Sequence, residues 1–283
     1  MKNVNPHCAV IIVTHNSQLH LPKAMLCLQQ QSRPADQVVL VDSGSADPSH
    51  LMTYQQDPKV TVVLAKGDIG FCRGNNIGMG RLSSNCDYVF FLNPDAFLTP
   101  RFLEDAIAFM EQPHNQAYAA LTGKILGYDI QQDRPTGKYD TTGVFRKWYG
   151  RWYDRGQGMD CNPELYLNQE DIPAICGAVF FCRKKALDAV LIRGNEAFDN
   201  NFYMYKEDID LSIRLRKNGG KLAYLPHLSA YHCRGWNPDR SKMPRNFRLA
   251  SARNELRIHL RSFSLAGSIY SSLKYASVRF LDL

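Results

Sequence analysis

The chain has 283 residues, 45% of them hydrophobic and 22% charged, a composition that suits one large α/β domain with an appendage and excludes a disordered or fibrous chain. No apolar run is long enough to predict a transmembrane helix, and the polar Met1–Cys8 start does not read as a secretory signal. The net charge of +7 falls in residues 240–283, which hold nine Arg/Lys and two acids, while the 25 basic and 25 acidic side chains before them balance.

Ala9–Thr14 is short, apolar and β-branched, and predicts a buried strand; His20–Gln31 predicts a helix and Gln37–Asp42 a second buried strand. A helix near Pro48–Gln56, a third strand over Lys59–Ala65 and a short helix within the Gly-rich Gly67–Gly80 follow. Tyr88–Leu92 predicts a fourth strand, and Pro100–Glu111 a helix opened by proline in its first turn. Strands and helices alternating in this way imply a parallel sheet covered on both faces. The pattern breaks at residues 127–170, which read as a hairpin or a mobile loop with an aromatic stretch at Trp148–Tyr153. Pro173–Arg183 then predicts a strand, Lys206–Lys217 a helix and Lys221–Leu225 a strand, with helix from about Pro244 onward. The eight cysteines form no Cys-x-x-Cys pair, so a zinc site is not expected; they read as buried, reduced thiols of a cytosolic protein.

Ligands of parallel sheets bind beyond the carboxyl ends of the strands. Three candidate strands end there in polar groups: Thr14-His15-Asn16, Asp42-Ser43-Gly44-Ser45 and Asn93-Pro94-Asp95. Each alone reads as a loop start or helix cap, but three at one edge suit a nucleotide. The dinucleotide fingerprint is missing, since the first strand is followed by Thr-His-Asn-Ser, and no phosphate-binding P-loop pattern occurs. Glu207, Asp208 and Asp210 crowd a helix start, where acids complement the dipole or, in a cleft, accept a hydroxyl proton. His232 stands alone beyond the last expected strand, either structural or able to join a carboxylate around a divalent ion.

Taken in order, the stretches at Val10–Ser17, Val41–Asp47, Gly70–Gly78, Phe91–Ala96, Cys176–Lys184 and Tyr205–Gly219, with the trailing His232, resemble glycosyltransferase family two, most nearly its bacterial rhamnosyltransferases. The resemblance covers about Cys8–Gly235 and weakly extends to Arg261. It implies a GT-A fold (Rossmann-like, with a mostly parallel central sheet) over residues 1–240, a basic helical extension over 241–283, and an inverting, metal-dependent transfer. It also implies residue roles. Thr14, Asn16, Asp42, Ser43, Gly70, Arg73, Asn75 and Asn93 would bind the nucleotide; Asp95 and His232 would bind Mg²⁺ or Mn²⁺. Asp208 would be the base with Glu207 beside it, and Cys176, Gly177 and Ala178 would wall the sugar pocket. Trp148 and Trp152 would stack on sugar, unless their stretch is a packed hairpin. Asn93 replaces the first acid of the family's Asp-x-Asp pattern, so a metal is expected to arrive with the donor diphosphate.

The implied reaction moves L-rhamnose or another deoxyhexose from a dTDP or UDP donor to a glycan or polyprenyl-diphosphate-linked acceptor in bacterial surface polysaccharide synthesis. The alternatives are a non-catalytic nucleotide-sugar-binding scaffold, and a nucleotidyltransferase, whose Gly-rich basic loop after the first strand is missing. The basic 240–283 segment reads either as a solvated helix packed on the body or as a dock for an anionic membrane surface, giving a cytoplasmic protein peripheral to the inner face of the cell membrane. Nucleic acid is not an expected partner, since no recognised binding module accompanies the charge.

Overall fold

The computed structural model describes residues 5–234 and 243–281; the boundary expected at 240/241 and the last two residues lie outside the described residues. The chain runs β1 (His7–Thr14), α1 (Leu21–Gln29), β2 (Gln37–Asp42), β3 (Val60–Leu64), α2 (Gly70–Met79), β4 (Cys86–Leu92), β5 (Ala96–Leu98), α3 (Phe102–Glu111), β6 (Tyr118–Asp129) and β7 (Arg134–Thr141). There follow β8 (Val144–Arg146), β9 (Trp152–Asp154), β10 (Glu170–Asp171), β11 (Val179–Arg183), α4 (Lys184–Asp188), α5 (Glu207–Lys217), β12 (Lys221–His232), α6 (Arg245–Arg261) and α7 (Leu265–Ala276).

Eight strands lie in the order β10-β12-β6-β11-β4-β1-β2-β3, with β5 added beside β12 and β7 beside β6; β8 and β9 form a separate hairpin. The pairs β2–β3, β1–β2, β1–β4 and β6–β12 are parallel, and β11 runs against both β4 and β6. The parallel strands read as continuous apolar runs because both of their faces are covered. Val10, Ile12, Leu40 and Phe90 meet α1 and α3 on one face, through Leu21, Met25, Phe102 and Leu103. On the other face Ile11, Val39 and Phe91 meet α2 and α5, through Cys72, Ile209 and Leu211, and α6 adds Ile258 to that layer. Gly74 and Gly78 let α2 lie close on β1: a Cβ at either would stand 2.6 Å from Val13 Cγ1 or 2.5 Å from Ile11 Cγ2.

The structure differs from the sequence expectations in three places and decides in a fourth, residues 127–170, for the hairpin alternative over the mobile loop. Ser49–Gln56 is a 3₁₀ helix with only Leu51 buried, too little apolar face to hold a full α-helix. Strand β11 begins at Val179 rather than Pro173, because Ile175 N and Gly177 N donate to Ser212 Oγ and Asp208 Oδ2 instead of to a neighbouring strand. The 127–170 segment is a series of packed hairpins, β6–β7 and β8–β9, closed by β10. Finally, β12 continues past Leu225 across a bulge to His232, so this histidine ends a strand rather than following one. Among the described residues no helix is long and apolar enough to cross a membrane.

Candidate active site

The loops after β1, β2 and β3 are knitted together by their own side chains. Thr14 and Asp42 are register partners, and Thr14 Oγ1 donates to Asp42 Oδ1 at 3.3 Å. Asp42 also accepts from Ser45 N at 2.9 Å and from Ser45 Oγ, so its buried carboxylate organises the turn that follows it. Asn16, in the left-handed region at φ 50°, donates its N–H to Ser45 Oγ and accepts from Ala46 N. Ser43 Oγ donates to Asp68 Oδ1 at 3.0 Å and accepts from Gly70 N at 3.0 Å. Gly70 needs to be glycine: its φ is +73°, and a Cβ there would stand 2.4 Å from Tyr203 Cδ2. Burial works against the Asp68 carboxylate, but hydrogen bonds from Tyr203, Ser43 and Gly70 outweigh it and hold the group below its usual range. Asp68 and Tyr203 are additions to the residues expected from sequence. Of those expected, Arg73 is exposed on α2, while Asn75 is buried and donates to Phe71 O one turn back, a local helical role.

A second cluster forms where β4, β7, β9 and β12 end. Antiparallel pairing of β5 with β12 sets Ala96 opposite His232, and Cys233 N donates to Asp95 O at 3.0 Å. This brings Asp95 Oδ1 to 3.2 Å from His232 Nε2. His232 Nδ1 lies 2.9 Å from Asp140 Oδ2, and Asp140 Oδ1 lies 2.6 Å from Arg234 Nε. Arg234 reaches on to Asp154 at 3.0 Å and to Cys176 Sγ at 3.8 Å. Asn93 Nδ2 is 3.4 Å from His232 Nε2, and Asn93 N donates to Ala178 O. Burial alone would strip the proton from His232, but the charges of Asp95 and Asp140 outweigh it and raise its pKa to about 10. Burial likewise opposes the Asp95 carboxylate, and the His232 charge holds it below the usual range. Three carboxylates, Asp95, Asp140 and Asp154, thus face two cations, His232 and Arg234, an excess of negative charge suited to receiving a cation.

Among the described residues no group of three or more His, Cys, Asp or Glu is arranged to hold a metal. Asp95 Oδ1 and His232 Nε2 nevertheless stand 3.2 Å apart. Adjacent ligands of an octahedral cation with bonds of about 2.1 Å are separated by about 3.0 Å. The Asp95–His232 spacing thus matches that of two adjacent ligands, and a cation held there would need its remaining oxygens from a bound phosphate or from water.

The three acids at the start of α5 have separate surroundings. Asp210 is neutralised by Arg214 at 2.8 Å and Arg261 at 3.3 Å. Asp208 accepts from Gly177 N at 2.9 Å and from Ile209 N at 2.8 Å; burial is the largest influence on it, and its pKa is raised. Glu207 is buried with Oε2 lacking a hydrogen-bond partner, and burial followed by the charge of Asp208 pushes its pKa up to about 8. A Cβ at Gly177 would lie 3.4 Å from Asp208 Cβ and 3.6 Å from Phe71 Cζ, so this loop forms one wall beside the Asp208 carboxylate.

The remaining candidates lie elsewhere. Trp152 is packed in the layer under α6, its backbone N–H donating to Glu255 Oε1 at 3.2 Å, and Trp148 stands 88% exposed in the β8–β9 turn. Neither is among the side chains that hydrogen bonds join to Asp208. Asp140, Asp154 and Arg234, by contrast, were not expected. A signal existed in the Arg234 that follows His232 two residues on, but their partners are 80 to 92 residues away in a segment without periodicity.

The sequence profile of glycosyl transferase family 2 matches residues 9–191. An N-acetylglucosaminyl-diphospho-decaprenol L-rhamnosyltransferase of Mycobacterium tuberculosis is 22% identical over 237 residues, covering 79% of this chain and 75% of the relative. The rhamnosyltransferase WbbL of Escherichia coli K12 is 23% identical over 243 residues, covering 79% and 82%. Among solved structures, GalNAc-T7 with UDP, GalNAc and Mn²⁺ superposes with a TM-score of 0.66 at 14% identity over 91% of this chain. The mannosyltransferase PcManGT of Pyrobaculum calidifontis with GDP-Man and Mn²⁺ superposes with a TM-score of 0.61 at 14% identity over 98%. This chain spans 71% of PcManGT but only about half, 48%, of GalNAc-T7.

Proposed function

The chain belongs to glycosyl transferase family 2 and has the GT-A fold, and from that premise we propose that it transfers L-rhamnose or another deoxyhexose from a dTDP or UDP donor, with inversion, to a polyprenyl-diphosphate-linked glycan. The donor class is supported by the nucleotide-sugar complexes of the structural relatives, and the sugar and acceptor by the printed names of the two rhamnosyltransferases. The observation that carries the reading is the approach of Asp95 to His232 at 3.2 Å, with Asn93 tied to the Cys176–Ala178 loop from which Asp208 is hung.

The nucleoside would occupy the Thr14, Asn16, Asp42, Ser43 and Gly70 loops, with Arg73 at their edge. Asp95 and His232 would hold a Mg²⁺ or Mn²⁺ ion together with the diphosphate, and such an ion would supply positive charge to stabilise the leaving group. Asp208, its carboxylate fixed by Gly177 N, would take the proton from the acceptor hydroxyl as that oxygen attacks the anomeric carbon from the face opposite the diphosphate. One displacement of this kind inverts the anomeric centre. The raised pKa of Asp208 brings it nearer to neutrality, where a carboxylate is a stronger base. An acceptor carried on a polyprenyl chain would place the working enzyme at a bilayer surface.

A thermal-shift panel of dTDP-, UDP- and GDP-sugars with Mn²⁺ or Mg²⁺, followed by turnover of the best donor, tests the reading. Stabilisation by a dTDP- or UDP-sugar that needs the metal, and turnover abolished by EDTA, is expected. Full activity in chelator would remove the metal from the reaction, and failure of every donor to bind would remove the transferase reading.

A further inference from the structure

Helix α7 is amphipathic in the opposite sense to a helix of a soluble core. Its small and polar face is inward: Gly267 and Ser271 are buried, and Lys274 turns in to pair with the fully buried Glu255 of α6. Its apolar face is outward: Leu265, Ile269 and Leu273, spaced four apart, are all exposed. The turn before α7 adds Phe263, 93% exposed, and the π-helical turn after it, Ser277–Leu281, adds Phe280 and Leu281. A helix normally buries such a stripe, and a contiguous apolar surface of this kind marks an interaction site.

The β8–β9 turn is fastened to the flank of α7 behind this stripe, through Gly267 and Tyr270. Tyr149 packs on Tyr270 of α7 with ring centroids 5.2 Å apart, and Gly150 lies against Gly267, where an added Cβ would come within 2.4 Å of Gly267 Cα. At the tip stands the exposed Trp148, flanked by the exposed Arg146, Lys147 and Arg151. Residues 243–281 add seven Arg/Lys, of which Lys274 pairs with the one acid of this stretch, Glu255, and Arg261 with Asp199 and Asp210 of the body.

We infer that α7 and the β8–β9 turn together dock on an anionic lipid bilayer, with the apolar stripe and Trp148 entering the interface and the surrounding cations meeting the headgroups. Apolar area alone would serve a second copy of the chain equally well. The charge decides between them: two copies brought together through this face oppose like charges with no exposed acid of the segment to offset them, whereas an anionic bilayer supplies both the apolar and the negative partner. An exposed tryptophan among cations is a side-chain combination that suits the headgroup boundary. The dock is also close to the candidate active site. Trp148 and Asp154 are six residues apart, so at most about 21 Å separates them, and Asp154 is bonded to Arg234. This inference deepens the proposed lipid-linked acceptor but is read out by binding alone, so that either idea can fail without the other.

The test is sedimentation of the full chain with phosphatidylcholine vesicles, with and without about one third phosphatidylglycerol, alongside quenching of tryptophan fluorescence by brominated lipid. Deleting the segment would not serve, because α6 also holds the loop leading into α5; surface substitutions are used instead. Wild-type protein is expected to sediment with the anionic vesicles, less so as salt rises. Binding is expected to fall at least tenfold in both Ile269→Glu/Leu273→Glu and Lys147→Glu/Arg151→Glu, and quenching to drop in Trp148→Phe. Far-UV circular dichroism and melting temperature should match the wild type in all of them, which shows that they fold. Wild-type protein left in the supernatant overturns the inference, as does unweakened binding by Ile269→Glu/Leu273→Glu. So does a solution dimer that this variant splits while vesicles are ignored, since the face would then be a self-contact.

Discussion

Asp140 grips His232 by the ring nitrogen that faces away from Asp95: Nδ1 lies 2.9 Å from Asp140 Oδ2, leaving Nε2 directed to Asp95 at 3.2 Å. In the proposed metal-bound state this is the carboxylate–histidine arrangement that fixes ring orientation and tautomer, and loss of such a partner costs about 10–100-fold in metal affinity. Asp140→Asn keeps the shape and an acceptor oxygen for the ring but removes the charge. Titration calorimetry of Mn²⁺ with nucleotide should show affinity reduced by about that factor, with metal-free nucleotide binding little altered. Equal affinity in the variant would leave Asp140 as a purely structural residue.

How far this cluster was legible in the sequence depends on what held each residue in place. Thr14 and Asp42 end buried strands and Asp95 lies in the turn just after one, and a strand announces itself by its apolar run, so the edge they share follows from local pattern alone. The start of α5 was visible for the same reason. Asp140 and Asp154 sit in hairpins whose inward residues are interrupted by Gly and Tyr, and their role depends on pairing with His232 and Arg234 at the far end of the chain. Local periodicity carries no record of such a contact. Trp152 shows the converse: its type suggested a sugar platform, but the packing of α6 over β9 takes it into the core.

Asp208 and Gly177 define the second prediction. Asp208→Asn retains an oxygen to accept from Gly177 N, so the loop should keep its shape. Donor affinity by calorimetry should stay within about threefold of wild type, whereas turnover should fall by about 10²–10⁴, the usual contribution of a general base. Turnover near the wild-type level would exclude Asp208 as the base.

Gly177 itself is a test of the pocket wall. It has no backbone requirement for glycine, and an added Cβ would make ordinary contacts of 3.4 Å or more with Asp208 and Phe71. Gly177→Ala should therefore melt within about 2 °C of wild type. Because the new methyl would stand 3.7 Å from Asp208 Oδ2, it should obstruct substrate and lower kcat/KM by about tenfold or more. Unchanged kinetics would place the sugar elsewhere.

Glu207 predicts a particular dependence of stability on pH. Its pKa in the fold, about 8, exceeds its ordinary value of 4.5, so the folded state holds a proton that the unfolded chain has released. The stability associated with that proton is fully present below pH 4.5 and is lost as pH rises through about 8. Glu207→Gln has no proton to lose. The difference in stability between variant and wild type should move in the variant's favour across this window, by up to about 1.4 kcal/mol per pH unit where the slope is greatest. Any fixed cost of burying the amide shifts the curve without changing that slope. Parallel curves from urea denaturation between pH 5 and 9 would show that Glu207 is ionised in the fold.

Asn254 joins the C-terminal helices to the proposed chemistry. It is fully buried on α6 and its amide lies 3.0 Å from each of the carbonyls of Phe202, Met204 and Tyr205, the loop that enters α5. That loop needs holding: Tyr203, Tyr205 and Lys206 all have positive φ, at 61°, 69° and 72°. Each such residue costs about 1 kcal/mol or more and persists only where its surroundings enforce it. Asn254→Ala removes the side-chain donors to these carbonyls, although Phe202 O keeps its bond from Met204 N, so a loss of about 2–4 kcal/mol is expected by denaturant titration. Turnover should fall further than stability explains, because the start of α5 that carries Asp208 is released, while nucleotide affinity should change less. Asn254→Asp separates size from hydrogen bonding, since it keeps the volume and lacks the N–H groups. It should be as damaging as the alanine, and a near-normal Asn254→Asp enzyme would show that the amide donors do not hold this loop.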